Sequence, residues 1–412
     1  MKFGLEGVSR LLGVLDDPHQ RFPSIHIAGT NGKGSTASML AAIFSSAGYR
    51  TGLYTSPHLV DFTERIRIDG KSIPRRAVAE LTNRLRRHIL RHKPTFFEAT
   101  TAIAFAWFAE KKVDIAIIET GLGGRLDSTN VITPLASVIT TIGYEHTDIL
   151  GNTIAKIAWE KAGIVKKGVP CVTGVEDRTA LRVLRKVCRE KGAHLHPLGK
   201  LRVSLRSESL KGSTVDVNAE GLRYKNLKIS LPGRFQIRNT ALALSTAGVV
   251  GKGGAFAVSE SAIRKGLSTI QACTGLEARL SLVREKPRIV LDVAHNPDGI
   301  EKLVAALKTL GIKEVVLVFG VMKDKDHVAM LQYLESITRE VIAVAARTER
   351  SRSASDVAAS VSNPRIGVRA ALSVGEGVRL AIHQASPRRP ILITGSHYVV
   401  GEALEFLRAK RA

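Results

Sequence analysis

A glycine-rich stretch near the N-terminus contains the residue types that bind phosphate groups. The segment 24–36 reads SIHIAGTNGKGST, with three glycines, and a lysine followed closely by two hydroxyl residues. Backbone N–H groups of such a loop, at the start of a helix, hydrogen-bond to phosphate oxygens. The lysine neutralises the outer phosphates, and a hydroxyl after it can reach Mg²⁺. The segment therefore predicts binding of a nucleoside triphosphate. The residues predicted to contact it are Gly29, Thr30, Asn31, Gly32, Lys33, Gly34, Ser35 and Thr36.

The spacing within this loop is a variant of the common phosphate-binding pattern. That pattern has four residues between its first glycine and the Gly-Lys pair. Here two residues separate Gly29 from Gly32, and Gly34 stands between Lys33 and Ser35. An ordinary glycine turn between a strand and a helix is the alternative. The glycines, the lysine and the hydroxyls together favour the phosphate site.

Three polar residues follow predicted strands, at the edge of a parallel sheet where ligands bind. Ser56 follows the strand 51–54, Glu119 ends the apolar run 114–118, and His146 comes after the strand 136–140. A carboxylate at the end of a buried strand resembles the group that holds Mg²⁺ in phosphoryl-transfer enzymes. A helix cap or a salt bridge is the alternative for Glu119, and a surface histidine is the alternative for His146. The three residues predict a divalent cation site.

A second polar group follows the predicted strand 288–291, where the sequence reads DVAHNP. Asn296 can cap the helix predicted to start at Pro297, so it has a structural explanation. Asp292 and His295 have no such explanation. A ligand bound between two domains would account for both.

The order of apolar runs predicts two α/β domains. Strand-length apolar runs alternate with helical segments between residues 24 and 191, which favours a mostly parallel sheet of the P-loop NTPase type. Residues 200–231 change to short alternating stretches with Gly and Ser turns, which predicts an antiparallel ribbon at the edge of this domain. Alternation of strands and helices resumes after a break near residues 272–277. We therefore expect an ATP-binding domain at 1–275 and a smaller, Rossmann-like doubly wound domain at 276–412.

Composition narrows the class of protein and its compartment. The 412 residues contain no apolar run of membrane-spanning length, and the N-terminus lacks the features of a signal peptide. Three widely spaced cysteines favour a reducing compartment, so we expect a cytoplasmic protein. The net charge of +24 raises nucleic-acid binding as an alternative. Aromatic residues make up 5% of the chain and do not alternate with basic ones, which disfavours a dedicated nucleic-acid partner.

Several motifs resemble the folylpolyglutamate synthase/dihydrofolate synthase family, the folate branch of the Mur ligase superfamily. They are AGTNGKGST (28–36), TSPHL (55–59), ETGLGGRLD (119–127), EKAGI (160–164), GVMKDKD (320–326) and TGS (394–396). The resemblance covers nearly the whole chain. The chain departs from the family pattern at Val293, where members usually have Gly, and at Leu276–Ala278, where the usual run is Pro-Gly.

The resemblance implies a role for individual residues. It places Gly32, Lys33, Gly34 and Ser35 on the ATP phosphates, with Ser56, Glu119 and His146 holding Mg²⁺. Lys161 matches a family lysine that is carried as a carbamate and holds a second Mg²⁺, while His295 matches a histidine near the transferred phosphate and the incoming glutamate. The residues that match ATP contacts from the far side of the cleft are Asn239, Arg279 and Asp292. The residues that match the pteroate-binding segments are Thr95, Phe96, Phe97, Glu98, Leu126, Asp127 and Ser128.

The resemblance also implies a reaction. Members add L-glutamate to a folate or dihydropteroate carboxylate at the expense of ATP, through an acyl phosphate, with Lys33, His295 and Lys161 as the catalytic residues by this match. The expected cofactors are ATP and Mg²⁺, with two ions, and the expected partners are small substrates and no membrane. We expect a monomer. The alternatives are another Mur-type amino-acid ligase, against which TSPHL and GLGGRLD argue, and a P-loop kinase, which does not explain the DVAHNP group.

Overall fold

The computed structural model describes residues 4–199, 201–219, 222–252 and 254–409. Lys200, at the start of the predicted ribbon, lies outside the described residues, as do the outermost residues of both expected domains. The strands are β1 (Ser24–Ala28), β2 (Thr51–Tyr54), β3 (Ile66–Ile68), β4 (Lys71–Ser72), β5 (Ile115–Glu119), β6 (Ala136–Ile139), β7 (Cys171–Thr173), β8 (Leu195–Pro197), β9 (Arg202–Ser209), β10 (Gly212–Ala219), β11 (Leu222–Ile229), β12 (Ser281–Glu285), β13 (Arg288–Leu291), β14 (Val315–Phe319), β15 (Thr338–Ala343), β16 (Gly367–Ala370) and β17 (Ile391–Thr394). The helices are α1 (Glu6–Val14), α2 (Lys33–Ser46), α3 (Arg75–His92), α4 (Phe96–Glu110), α5 (Thr147–Leu150), α6 (Ile154–Ala162), α7 (Arg178–Glu190), α8 (Arg234–Gly251), α9 (Glu260–Ser268), α10 (Ile270–Thr274), α11 (Pro297–Thr309), α12 (His327–Leu334), α13 (Ala354–Ala359), α14 (Val374–Gln384) and α15 (His397–Ala409).

The first sheet has eight strands in the order β4-β3-β2-β5-β1-β6-β7-β8. Strands β2, β5, β1, β6, β7 and β8 run parallel, and β3 and β4 form an antiparallel edge. Every residue of β1 and β5 is buried, because helices cover both faces of the sheet. The carboxyl ends of β2, β5, β1 and β6 therefore meet at one edge, which is where the predicted site residues follow their strands.

The predicted antiparallel ribbon is present, but it does not extend the large sheet. Strands β9, β10 and β11 form a separate three-stranded sheet. Val215, Val217, Leu227 and Ile229 from this sheet join the apolar cluster that includes α2 and α8. One face of the ribbon thus packs against helices, because its alternating apolar side chains are buried there. The ribbon expected at the edge of this domain is therefore present as a separate small sheet.

The second sheet has six strands in the order β12-β13-β17-β14-β15-β16. All its neighbours are parallel except β12, which pairs antiparallel with β13. Two apolar clusters cover its faces, as expected for a doubly wound domain. The sequence analysis did not predict β12 or β16. Both carry mostly half-buried or exposed residues, so the apolar signal of a covered strand is missing.

One loop of the first domain packs directly onto the second. Leu59 and Val60 contact the apolar cluster formed by β13, β14, β17 and α15. Gly401 in α15 lies so close that a Cβ there would come within 2.1 Å of the carbonyl oxygen of Leu59. This contact joins the loop after β2 to the second domain. No helix in the described part of the chain is long and apolar enough to span a bilayer.

Candidate active site

The phosphate-type loop connects β1 to α2, as the sequence predicts. Gly32 stands immediately before α2 with φ of +87°, a conformation that glycine adopts without strain. A Cβ at Gly32 would lie 2.5 Å from Oδ1 of Asn239, so the loop also needs glycine for close packing. The N-terminus of α2 is placed as an anion-binding end, whereas the N–H groups of Thr30 and Asn31 already donate to Thr141. Thr36 is fully buried within α2 and lines neither of the two cavities described below.

A cavity of about 250 Å³ lies beside this loop and between the two domains. The first domain contributes residues that were singled out in the sequence, and the second contributes His295 and Arg279. The structure thus brings the predicted catalytic and cation-binding side chains to one place. Those that line the cavity are Thr30, Asn31, Gly32, Lys33, Gly34, Ser56, Glu119, His146, Lys161, Arg279 and His295.

Two lysines converge on one carbonyl oxygen of the loop. Nζ of Lys33 donates to Gly29 O at 2.9 Å and to Thr30 O at 3.1 Å, and Nζ of Lys161 donates to Gly29 O at 2.8 Å. Lys161 is 2% exposed. Burial, and next the nearby charge of Lys33, lower the pKa of Lys161 to about 7. Its amine is therefore partly uncharged at neutral pH, which is the form that reacts with carbon dioxide.

Glu119 is a buried carboxylate at the end of β5, opposite the loop. Its Oε2 accepts from the backbone N–H of Ser56 at 3.2 Å. Burial raises the pKa of Glu119, and the charges of Lys33 and Arg279 oppose that rise. Within residues that the structure describes, no three His, Cys, Asp or Glu side chains form a ready-made metal cluster. Mg²⁺ commonly takes one or two carboxylates and completes its shell with phosphate oxygens and water, and Glu119 with Ser56 beside the loop fits such a site.

Glu145 is a site residue that the sequence analysis missed. Its side chain is 7% exposed, and its Oε1 lies 3.2 Å from Nε2 of His295 in the other domain. Nδ1 of His295 faces the carbonyl oxygen of Val293 at 2.8 Å. Burial would raise the pKa of Glu145, but the hydrogen bond to His295 and the charges of Lys33 and Lys161 outweigh it and hold that pKa well below the usual range. Glu145 thus connects the two domains at the cavity.

His146 follows Glu145 and adopts a left-handed backbone conformation, with φ of 49°. Its Nε2 lies 3.9 Å from Oε1 of Glu145. Burial, followed by the charge of Lys325, lowers the pKa of His146. A neutral imidazole is the form that binds a metal ion.

A second cavity of about 510 Å³ adjoins the loop on its other side. The three residues predicted to reach ATP from the far side, Asn239, Arg279 and Asp292, all line it together with Gly32. Asn239 is fixed by a hydrogen bond to Gln236, and Asp292 accepts from the backbone N–H groups of Leu280 and Ala294. The cavity has the size of a ligand pocket and contacts both domains.

The residues predicted to bind a pteroate group lie next to the first cavity and do not line it. Thr95 and Glu98 form a reciprocal capping box at the start of α4, with Thr95 N–H donating to Glu98 at 2.6 Å. Phe97 packs against Gly121, which does line the cavity. Phe96 is 61% exposed.

The second pteroate-type segment, 126–128, follows the same glycine-rich loop. Asp127 is buried and accepts hydrogen bonds from the N–H groups of Gly121, Leu122 and Thr129, so its carboxylate shapes that loop. Leu126 is half-buried and Ser128 is buried at the start of a short turn. Both segments therefore flank one wall of the cavity.

Other cavity residues of the second domain had no individual prediction. Lys325 and His397 line the cavity, as do Arg350, Ser396 and Tyr398. The GVMKDKD and TGS motifs contain or adjoin most of these residues, so the motifs marked the segments as functional. That the individual side chains reach the cavity depends on how the two domains pack.

The fold and the cavity together define a two-domain ATP-dependent ligase of the Mur type. Residues 27–247 match the Mur ligase middle domain, and residues 278–397 match the Mur ligase glutamate ligase domain. A dihydrofolate synthase/folylpolyglutamate synthase from Bacillus subtilis is 36% identical, covering 99% of this chain and 96% of that protein.

Two solved structures have the same architecture. Escherichia coli FolC in complex with DHPP and ADP superposes with a TM-score of 0.88 at 31% identity, covering 100% of this chain and 95% of that one. Mycobacterium tuberculosis folylpolyglutamate synthase complexed with ADP and AMPPCP gives 0.87 at 32% identity, with coverage of 98% and 95%. The chain therefore belongs to the folylpolyglutamate synthase/dihydrofolate synthase family.

Proposed function

We propose that this protein joins L-glutamate to the carboxylate of a folate or dihydropteroate compound, with ATP as the energy source. The observation that carries this proposal is the cavity in which the loop lysine Lys33, the carboxylate of Glu119 and His295 of the other domain meet. Relatives with this architecture are folylpolyglutamate and dihydrofolate synthases, and two of them bind ADP. The chain is an ATP-dependent carboxylate–amine ligase.

In the proposed reaction, the substrate carboxylate attacks the γ-phosphorus of ATP, which gives an acyl phosphate and ADP. Lys33 leaves the carbonyl oxygens of Gly29 and Thr30 and moves onto the phosphate, where its charge offsets the developing negative charge. The amine of L-glutamate then attacks the acyl carbon, loses a proton and expels phosphate as the amide forms. His295, held by Glu145 and the carbonyl of Val293, orients groups at the second-domain wall.

Mg²⁺ bound at this site would neutralise phosphate oxygens and align the nucleotide. Glu119, Ser56 and His146 are the residues that would hold it, and Lys161 as a carbamate would supply a further carboxylate for a second ion. The carbamate forms when the free amine adds carbon dioxide and releases one proton. The lowered pKa of Lys161 supports this assignment, because an ammonium ion at pH 7 would not react.

The pteroate group would lie along the wall formed by Phe96, Phe97 and the loop after Glu119, and the adenosine of ATP would lie in the larger cavity beside Asn239. We place the domain boundary at 275/276, because β12 of the second sheet starts at Ser281. Three expectations remain predictions: that the protein is a monomer, that it has no nucleic-acid partner and that it is cytoplasmic.

The assay for this function is phosphate release from ATP in the presence of dihydropteroate and L-glutamate. We expect release only when both co-substrates are present, and the same assay with a tetrahydrofolate determines which activity the chain has. Release that needs neither L-glutamate nor a pteroate compound would contradict the proposal and favour a kinase or another nucleotide hydrolase.

Lys33→Ala is the matching variant. We expect it to lose at least a thousand-fold in kcat, on the order of the loss of a phosphate-binding charge in phosphoryl transfer, with no change in the circular dichroism spectrum. Lys167→Ala, which removes an exposed lysine of the same domain, is the control and keeps full activity. Glutamate-dependent turnover by Lys33→Ala at the wild-type rate would refute the mechanism.

A further inference from the structure

Arg65 is a buried cation whose outer nitrogens have no partner in the described chain. The residue is 8% exposed and lies directly before β3. Its Nε donates to Nδ1 of His58 at 2.8 Å, and its Cζ lies 5.3 Å from the centre of the Phe96 ring. Neither Nη1 nor Nη2 has a hydrogen bond or an ion pair with any described residue. A buried charge without a directly bonded counter-charge is costly, and an anionic ligand would offset that cost.

The neighbouring carboxylates already have other partners. Glu64 accepts from the backbone N–H groups of residues 59, 60 and 61, and it closes a capping box with Asp61. Asp61 itself accepts from Thr63 and from Arg75. Glu119 accepts from Ser56 and faces Lys33 and Arg279. None of the three forms a hydrogen bond or an ion pair with Arg65, although Glu64 and Glu119 lie near enough to act on its charge.

The guanidinium group does not line the first cavity, but it lies near two residues that do. Burial lowers the pKa of Arg65, while Tyr54, Tyr398, Glu119 and Glu64 are near enough to raise it. Tyr398 and Glu119 line that cavity, and Phe96 beneath the guanidinium is largely exposed. The two Nη atoms are not among the fully enclosed atoms that lack a partner, so they retain contact with open space.

We propose that Arg65 binds a carboxylate of the pteroate or folate substrate, above the ring of Phe96. The planar fork of an arginine matches a carboxylate through two parallel hydrogen bonds. The carboxylate belongs either to the benzoate of a dihydropteroate or to the glutamyl part of a folate. This assignment rests on the proposed function and adds to it the residue that selects an anionic substrate.

The test compares the binding of dihydropteroate with the binding of its neutral carboxamide, measured by calorimetry in the presence of ADP. The wild type is expected to prefer the acid by about ten- to a hundred-fold, the range of a charge-assisted hydrogen bond. In Arg65→Gln the preference should fall to about one-fold. A purely structural arginine would weaken acid and amide equally, so an unchanged ratio overturns the proposal. Repeating the pair with a tetrahydrofolate and its α-amide determines which carboxylate is held.

Arg67→Gln is the matched control, because Arg67 is also partly buried on β3 but donates to the carbonyls of Glu64 and Gly70. It should retain the acid preference. Arg65→Lys is the second variant, for use if Arg65→Gln does not fold. Its preference for the acid over the carboxamide should be several-fold lower than that of the wild type, because lysine lacks the planar guanidinium group. A higher KM for L-glutamate with an unchanged acid-to-amide ratio would also overturn the assignment. Failure of the proposed function is distinct, because the wild type would then release no phosphate in a glutamate-dependent way.

Discussion

The buried amine of Lys161 makes the stability of the protein depend on pH in a direction that can be measured. The pKa of Lys161 is about 7 in the folded state, against its usual value of 10.5. The unfolded chain therefore binds more protons than the folded chain between these two values. The free energy of unfolding must therefore rise with pH between pH 7 and pH 10.5. The destabilisation caused by burying this amine is largest below pH 7.

The magnitude follows from the size of the shift. One pKa unit corresponds to about 1.4 kcal/mol, so the cost of burying this amine below pH 7 is on the order of 5 kcal/mol. Between pH 7 and pH 9 the cost should fall by roughly 2 kcal/mol, since part of the amine is already neutral at pH 7. Lys161→Met keeps an unbranched side chain that is one atom shorter and removes the titrating group. We expect the stability advantage of Lys161→Met over the wild type to shrink by that amount across the same range.

The measurement is urea unfolding at pH 6, 7, 8 and 9 without nucleotide or Mg²⁺, in buffer depleted of carbon dioxide. Lys167→Met, at an exposed position, is the control and should show a constant difference from the wild type. A difference between Lys161→Met and the wild type that stays flat from pH 6 to pH 9 would refute the reasoning. Adding bicarbonate should stabilise the wild type and Lys167→Met but not Lys161→Met, because only the neutral amine of Lys161 forms the carbamate.

Two further predictions concern the loops of the site. Gly32→Ala should weaken ADP binding about ten-fold in calorimetry, because the left-handed backbone and the contact with Asn239 both disfavour a Cβ. Gly13, in α1, has open space around it, so Gly13→Ala is the control and should leave ADP binding unchanged. Equal ADP affinities for the two variants would show that the loop tolerates a side chain. Asp127→Ala should lower the free energy of unfolding by roughly 3 kcal/mol, because three backbone N–H groups lose a buried acceptor. A loss below about 1 kcal/mol in urea titrations would mean that water replaces the carboxylate.

The parts of the structure that were predicted from the sequence are those with a strong local signal. Strands β2 and β13 have the predicted bounds, 51–54 and 288–291, because each short strand-forming stretch is followed at once by polar residues. Glu119 could be placed at the end of β5 for the same reason. The edge strands β12 and β16 carry little apolar signal, since they are not covered on both faces.

The cross-domain contacts could not be predicted, because they depend on how the two domains pack. Glu145 and His146 are neighbours in sequence, and nothing in that sequence tells which of them reaches His295. The sequence likewise does not show that the Nη atoms of Arg65 lack a hydrogen-bond partner, because this depends on which groups the neighbouring carboxylates bind in the fold. Ala278 adopts a left-handed backbone conformation with φ of 55°, which alanine rarely takes and which the sequence analysis did not predict.

The loop after β2 has a consequence for how the cleft moves. Leu59 and Val60 are half-buried and pack against the second domain, while Ser56, three residues before Leu59, borders the cavity beside Glu119. Because only a few peptide units separate these anchors, a rotation of one lobe against the other must pull on Ser56. Closure of the two domains around a substrate would then also bring Ser56 and Glu119 into position. In an open arrangement of the domains, the phosphates would lack some of these ligands.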